Sequence, residues 1–274
     1  CDAEEDALAQ LAGRVHRGRS PVMGARARAE NAARAGEGNG SGRRLLVVVS
    51  GSDLRARLDP GGASEALCLP PMGAQPVIMG LDDAVRSIRA GVVGRGSTPV
   101  VGVTGPAGAG KSTLASILIE EAGGVVISTD DYLPDYELVP DAERDLPEHA
   151  DLPLLAEHLR MLGTGEPAEI PVWSFHEHKR VGVRRVVPPA SGLVVVEGLF
   201  ALHPSLGDAV DLRVFVEAPA QPRWARWEAI ERRGERGMGV EAARAFFHEI
   251  ADPTYARFAV GYRAAAVLIV RNEG

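Results

Sequence analysis

Nine residues constrain this chain more than any others: Gly105-Pro106-Ala107-Gly108-Ala109-Gly110-Lys111-Ser112-Thr113. They fit GxxxxGK[ST], lie after an apolar, β-branched run at 100–104 and precede a helix-compatible stretch at 112–122. Glycines at these places let backbone N–H groups turn inward around phosphates where a Cβ would clash. The helix that follows offers free N–H groups and the positive end of its dipole to the anion. In such a loop Gly105, Ala107, Gly108, Ala109, Gly110 and Thr113 shape the cradle, Lys111 reaches the β- and γ-phosphates, and the Ser112 hydroxyl ligates Mg²⁺. The expected ligand is therefore a nucleoside triphosphate. The loop does not by itself name a reaction, and motor, switch and kinase chemistries all use it.

Around the loop the pattern is strand then helix, repeated. Apolar runs at 100–104, 125–129, 193–197, 212–217 and 266–270 alternate with helical stretches at 112–122, 152–162, 223–233 and 240–250. Continuous apolar strands separated by helices predict a parallel sheet covered on both faces. The expected fold is α/β, a three-layer P-loop NTPase domain over 96–274 with a five-stranded parallel sheet. An N-terminal extension precedes it. Residues 1–42 read as a polar, helical or flexible segment ending in the glycine-rich linker 36–42. Residues 43–95 read as an accessory segment with a strand at 45–49, a loop at 60–76 and an amphipathic helix at 81–90. The acidic, proline-bearing segment 134–147 reads as an ordered loop over a site.

Composition removes several alternatives. Of 274 residues 45% are hydrophobic, which fits a globular chain, and the formal net charge of −7 argues against a general nucleic-acid or anionic-membrane binder. No apolar run is long enough to span a bilayer. Positions 1–20 carry no apolar signal core, and Cys1 and Cys68 make neither a disulfide framework nor a zinc motif, so a cytoplasmic protein is expected. Of 30 basic residues 28 are arginine, which singles out Lys111 and Lys179.

Two acidic positions fall at the carboxyl ends of predicted strands, the edge where sites form in open α/β sheets. Glu197, at the end of 193–197, is placed to hold Mg²⁺. The second strand delivers Thr129-Asp130-Asp131-Tyr132 to the same edge, where a carboxylate beside the γ-phosphate can take the proton of an attacking hydroxyl.

The order GPAGAGKST, ISTDDY, VVVEGLFAL and an arginine-rich helical stretch resembles the uridine kinase and phosphoribulokinase group of P-loop kinases. Nicotinamide riboside kinase and bacterial pantothenate kinase belong to the same broad group, and the resemblance spans about 98–272. It implies ATP and Mg²⁺ as cofactors and a small-molecule hydroxyl acceptor: a nucleoside, a sugar or a pantothenate-like alcohol. It implies Asp130 as general base, with Ser112, Glu197 and Asp130 toward the metal, and Asp131 and Tyr132 beside the substrate. The segment from Asp145 to Asp151 resembles the family's sugar-gripping stretch, which assigns Asp145 to the acceptor. Residues 170–180 resemble the family's aromatic acceptor segment, with Trp173, Phe175, His178 and Arg180 at its Tyr, Phe, His and Arg positions. Ser174 stands where the family has Asp, so the acceptor half departs from the pattern.

Residues 223–238 resemble the family's arginine lid, with Arg223, Arg226 and Arg236 at matching positions and Trp227 where a second arginine is usual. Arginines on such a flap neutralise charge on the transferred phosphoryl group. The resemblance assigns Arg223 to catalysis and substrate, and Arg226 and Arg236 to the nucleotide. Family members are often oligomeric, which leaves a homodimer open. The competing function class is a nucleotide-dependent switch or regulatory ATPase with the N-terminal extension as a partner-binding arm. The acceptor-type segments favour the kinase, because a switch needs no acceptor pocket.

Overall fold

A computed structural model describes residues 75–92, 98–188 and 190–273. The readings made for 1–74, including the linker, the strand at 45–49, Cys1 and Cys68, lie outside the described residues, as does the 60–74 part of the predicted loop.

The chain enters the described fold through β1 (Val77–Met79) and α1 (Leu81–Val92), and then forms β2 (Val100–Thr104), α2 (Lys111–Ala122) and β3 (Gly124–Ser128). After a run of short 3₁₀ turns come α3 (Leu152–Gly163), β4 (Ala168–Ser174) and β5 (Lys179–Val186). The remainder is β6 (Leu193–Glu197), β7 (Leu212–Glu217), α4 (Ala220–Arg232), α5 (Val240–Phe246), α6 (Asp252–Ala265) and β8 (Leu268–Arg271). Strands β1-β8-β7-β2-β6-β3 form one sheet in that order, and every pairing in it is parallel.

The sheet has six strands and not the expected five. The added one, β1, is only three residues long and pairs Val77 with Leu268 at the edge. A three-residue strand beside Pro76 carries too little periodicity to be read from sequence. Residues 168–186 form a separate antiparallel hairpin of β4 and β5. The predicted helix 240–250 ends at Phe246; a π turn, Phe247–Ala251, leads into α6.

The strands alternate their side chains between two cores. Val101, Val103, Val195 and Val214 face α1 and α2, where Ile88, Leu114 and Leu118 are fully buried. Val100, Val194, Val196 and Phe215 face the other way, against Leu155, Leu159 and Leu162 of α3 and Tyr255 and Tyr262 of α6. Both faces of the sheet are thus covered, which explains why its strands are apolar without alternation. Gly102 lies on the second face, where a Cβ would come within 2.8 Å of the Ala201 carbonyl oxygen, so the segment after β6 packs directly on β2. None of the described helices is long and apolar enough to cross a membrane.

Candidate active site

The carboxyl ends of β2, β3 and β6 meet at one edge, and the loop after β2 is the phosphate-type loop. Gly108 has φ +75°, and a Cβ there would lie 2.4 Å from the Arg223 carbonyl oxygen. The left-handed backbone and the close approach both demand glycine. Gly105 is equally confined, with a Cβ position 2.2 Å from the Val216 carbonyl oxygen. Lys111 Nζ folds back to donate to the Pro106 carbonyl oxygen at 3.1 Å, and Ser112 Oγ donates to Glu197 Oε2 at 3.2 Å.

Three side chains hold this loop by its outward carbonyls. Arg223 Nη1 donates to Ala107 O at 3.3 Å, Arg226 Nη1 to Gly108 O at 2.8 Å and Asn272 Nδ2 to Ala109 O at 2.9 Å. With its carbonyls engaged from behind, the loop is free to turn its N–H groups toward an anion. Asn272 follows directly on β8 and was not anticipated; nothing local in its sequence marks it.

Glu197 ends β6 opposite Ser128 of β3. Burial pushes its carboxyl above the usual range, opposed mainly by the Lys111 ammonium. Burial lowers the Lys111 pKa in turn, although Glu197 and Asp130 pull it upward. Asp130 sits in the 3₁₀ turn Thr129–Tyr132, whose first turn is fixed by Ser128 Oγ accepting from the Asp130 N–H at 3.2 Å. Asp145 faces the same space, and burial together with the charge of Asp130 raises its pKa to about 6.

These groups line one cleft of about 460 Å³. Of the sequence-predicted residues, Ala107, Gly108, Gly110, Lys111, Ser112, Thr113, Asp130, Asp145, Phe175, His178, Glu197, Arg226 and Arg236 border it. Gly105 and Ala109 are buried within the loop itself. Arg236 spans the cleft, its guanidinium 4.7 Å from the Phe175 ring centroid and 5.0 Å from that of Trp227.

Besides Gly105 and Ala109, five predicted residues stand outside the cleft lining. Arg223 is 5% exposed and spends its guanidinium on Asp252, at 2.7 and 3.1 Å, and on loop carbonyls. Buried and paired behind the loop, Arg223 braces it in this structure. Asp131 accepts from Arg184 Nη2 at 3.2 Å and, more weakly, from the Trp173 N–H at 3.4 Å, tying the first turn to the hairpin. The Tyr132 hydroxyl is buried against His158 Nδ1 at 2.8 Å. Trp173 is 6% exposed and donates its indole N–H to Pro134 O at 3.1 Å. Arg180 donates to Leu133 O and Tyr132 O and borders a separate surface hollow with Asp151 and His149. Tyr136, which the sequence reading did not select, does border the cleft. It belongs to the acidic segment expected to lie over a site, and that was its only signal.

Residues 100–272 match the sequence model of the phosphoribulokinase/uridine kinase family. The chain is 33% identical over 184 residues to a uridine kinase of Deinococcus deserti, an alignment covering 64% of this chain and 88% of that one. With a uridine kinase of Shewanella amazonensis it shares 31% over 188 residues, again 64% and 88% of the two chains. Among solved structures, a protein described as a candidate fructose transport system kinase from Silicibacter sp. superposes with a TM-score of 0.56 at 21% identity, covering 70% of this chain and 98% of that one, a likeness of fold. The chain belongs to the phosphoribulokinase/uridine kinase family and is a phosphotransferase acting on a hydroxyl acceptor.

Proposed function

We propose that this chain transfers the γ-phosphoryl group of ATP, with Mg²⁺, to a hydroxyl of a small molecule in the nucleoside, sugar or pantothenate-like alcohol class. The observation that carries this is one cleft bordered by Lys111, Ser112 and Glu197 and also by Asp130 and Asp145. A phosphate loop alone would suit a switch; two further carboxylates facing the same space suit an acceptor.

The donor set suits Mg²⁺. Ser112 Oγ, hydrogen-bonded to Glu197 Oε2, and the Asp130 carboxylate at the same edge are hard oxygen donors, and Mg²⁺ keeps waters and phosphate oxygens as its other ligands. When bound, Mg²⁺ supplies charge neutralisation on the β- and γ-phosphates. Lys111 holds the same phosphates as a compact cation. Asp130 accepts the proton of the acceptor hydroxyl while that oxygen bonds to the γ-phosphorus. The bond from γ-phosphorus to the bridging oxygen breaks, and ADP leaves. Arg236 stabilises the charge on the transferred group, and Arg226 with Asn272 keeps the loop in shape.

The test is product analysis with ATP, Mg²⁺ and a panel of nucleosides, sugars, polyols and pantothenate-like alcohols. An acceptor that gains the mass of one phosphoryl group supports the reading. Release of free phosphate only, unstimulated by any acceptor, would replace it with a regulatory ATPase.

A further inference from the structure

The stretch from Arg233 to Gly239 carries Arg236 to the cleft, yet little packing holds it. Five of its seven residues are exposed, Arg236 and Met238 are half-buried, and a Cβ at Gly234 or Gly239 would meet nothing within 4 Å. Its two ends are instead tied to one residue of α4, Glu231. At the near end α4 finishes in a left-handed glycine turn. The Gly234 N–H donates to the Glu231 carbonyl oxygen at 2.9 Å and the Glu235 N–H to the Ile230 carbonyl oxygen at 3.3 Å, with Gly234 at φ +72°. At the far end the Gly239 N–H donates to Glu231 Oε2 at 3.0 Å. Backbone and side chain of the same residue therefore close the loop into a ring.

Glu231 is itself 5% exposed, and its other oxygen accepts from the Trp227 indole N–H, one helical turn earlier, at 3.2 Å. Each carboxylate oxygen thus has an N–H donor, as burial of a charge requires. A charged acceptor also makes the bond to Gly239 stronger than a neutral one would. The bond to Trp227 has a second effect, because it fixes the indole whose ring centroid lies 5.0 Å from the Arg236 guanidinium. One carboxylate sets both the backbone that carries Arg236 and one of the two rings on which its guanidinium rests. Arg236 borders the same cleft as Lys111, Ser112 and Glu197.

We propose that Glu231 is a positioning residue for phosphoryl transfer: by closing the 233–239 loop and orienting Trp227 it holds the Arg236 guanidinium at the cleft. The inference rests on the charge-stabilising role given to Arg236 in the kinase reading, and adds the group that keeps Arg236 in place. Two measurements on the full-length chain test it. The first is limited trypsin digestion with the cleavage sites mapped by mass, which needs no turnover. In Glu231→Gln one amide oxygen must serve two donors. Cleavage after Arg233 and Arg236 should then speed up about fivefold or more, while cleavage elsewhere stays as in the wild type. The second is a double-mutant cycle on kcat with Arg236→Ala, using the acceptor found by product analysis. Glu231→Gln should lower kcat about fivefold or more in the wild-type background, and less than about twofold where Arg236 is already gone.

A role confined to stability would lower the melting temperature and cut kcat by the same factor in both backgrounds. Equal losses of that kind, or no loss in the wild-type background, overturn the positioning of Arg236 and leave the kinase reading standing. Unchanged cleavage in the folded variant overturns the loop closure. If Arg236→Ala alone turns over like the wild type, the role given to Arg236 fails and the inference goes with it. If no acceptor is phosphorylated, the kinase reading fails and takes the catalytic half of the inference with it, and the digestion alone then decides whether Glu231 closes the loop. Should Glu231→Gln not fold, Glu231→Met, which fills the buried space without an acceptor, is read by the same criteria.

Discussion

Arg223 and Asp252 form a two-pronged ion pair behind the phosphate loop, with Nη1 at 2.7 Å from Oδ1 and Nη2 at 3.1 Å from Oδ2. The pair joins the start of α4 to the start of α6, and the same guanidinium reaches Ala218 O and Ala107 O. It therefore sets the position of the loop relative to both helices. Removing Arg223 leaves the partly exposed Asp252 carboxylate without its partner and takes the donor from the Ala107 and Ala218 carbonyl oxygens, which costs about 1–3 kcal/mol. Arg223→Ala should lower the melting temperature by several degrees and weaken ATP binding as a consequence. A variant that melts like the wild type but loses turnover would instead support the catalytic role expected for Arg223.

Lys111 should not tolerate arginine. Its ammonium is folded against Pro106 O in a narrow loop, beside Glu197 and Asp130. A planar guanidinium keeps the charge but is broader and spreads its donors over a fork. By analogy with the loss of one preorganised donor, Lys111→Arg should reduce kcat by roughly 10²-fold or more. The measurement is steady-state turnover beside a melting curve, which should barely move. Wild-type turnover in this variant would remove the loop from the proposed chemistry.

How much of this was legible in advance depends on where the information lies. The strands 193–197 and 212–217 are found at their predicted bounds because a strand buried on both faces is apolar at every position, a signal contained in five or six residues. The hairpin was missed because β5, KRVGVRRV, is largely exposed and polar, and β4 contains Pro171. Helix α6 was missed because Asp252-Pro253 looks like a stop, although proline suits the first turn of a helix. In the site, the loop, Asp130 and Glu197 are positioned by strand ends and could be read locally. Arg223 could not, because its partner is 29 residues away and charge does not reveal which face of a helix is buried. Trp173 occupies an expected aromatic position, yet its indole N–H turns to Pro134 and away from the cleft, a contact 39 residues distant.

Arg236 should act as a bridge whose planarity matters. Its guanidinium lies between Phe175 of the hairpin turn and Trp227 of α4, so one side chain links the hairpin to α4 beside the cleft. Each contact of this kind is worth about 0.5–1 kcal/mol where exposed and more where dry. Arg236→Lys keeps the charge but loses most of the stacking, and should lower kcat with little change in melting temperature. Restored turnover with lysine would show that charge alone suffices there.

Asp145 should impose an acid limit on acceptor use and a stability cost at higher pH. Its folded pKa is raised to about 6, first by burial and then by the neighbouring charge of Asp130. The carboxylate form that accepts hydroxyl hydrogen bonds is lost as pH falls through about 6, so kcat/KM for the acceptor should decline below that value. Stability runs the other way. A carboxyl whose folded pKa lies above its unfolded value favours the folded state at low pH, and that contribution disappears as pH rises through about 6. Asp145→Asn, which stays neutral, should therefore raise the melting temperature relative to wild type at pH 8, converge with it near pH 4 and reduce acceptor kcat/KM. Melting curves at both pH values, with acceptor kinetics at pH 8, separate the two effects. An equally small difference in melting temperature at pH 8 and pH 4 would mean that this carboxylate is not strained by its surroundings, and the acid limit would then belong to another group.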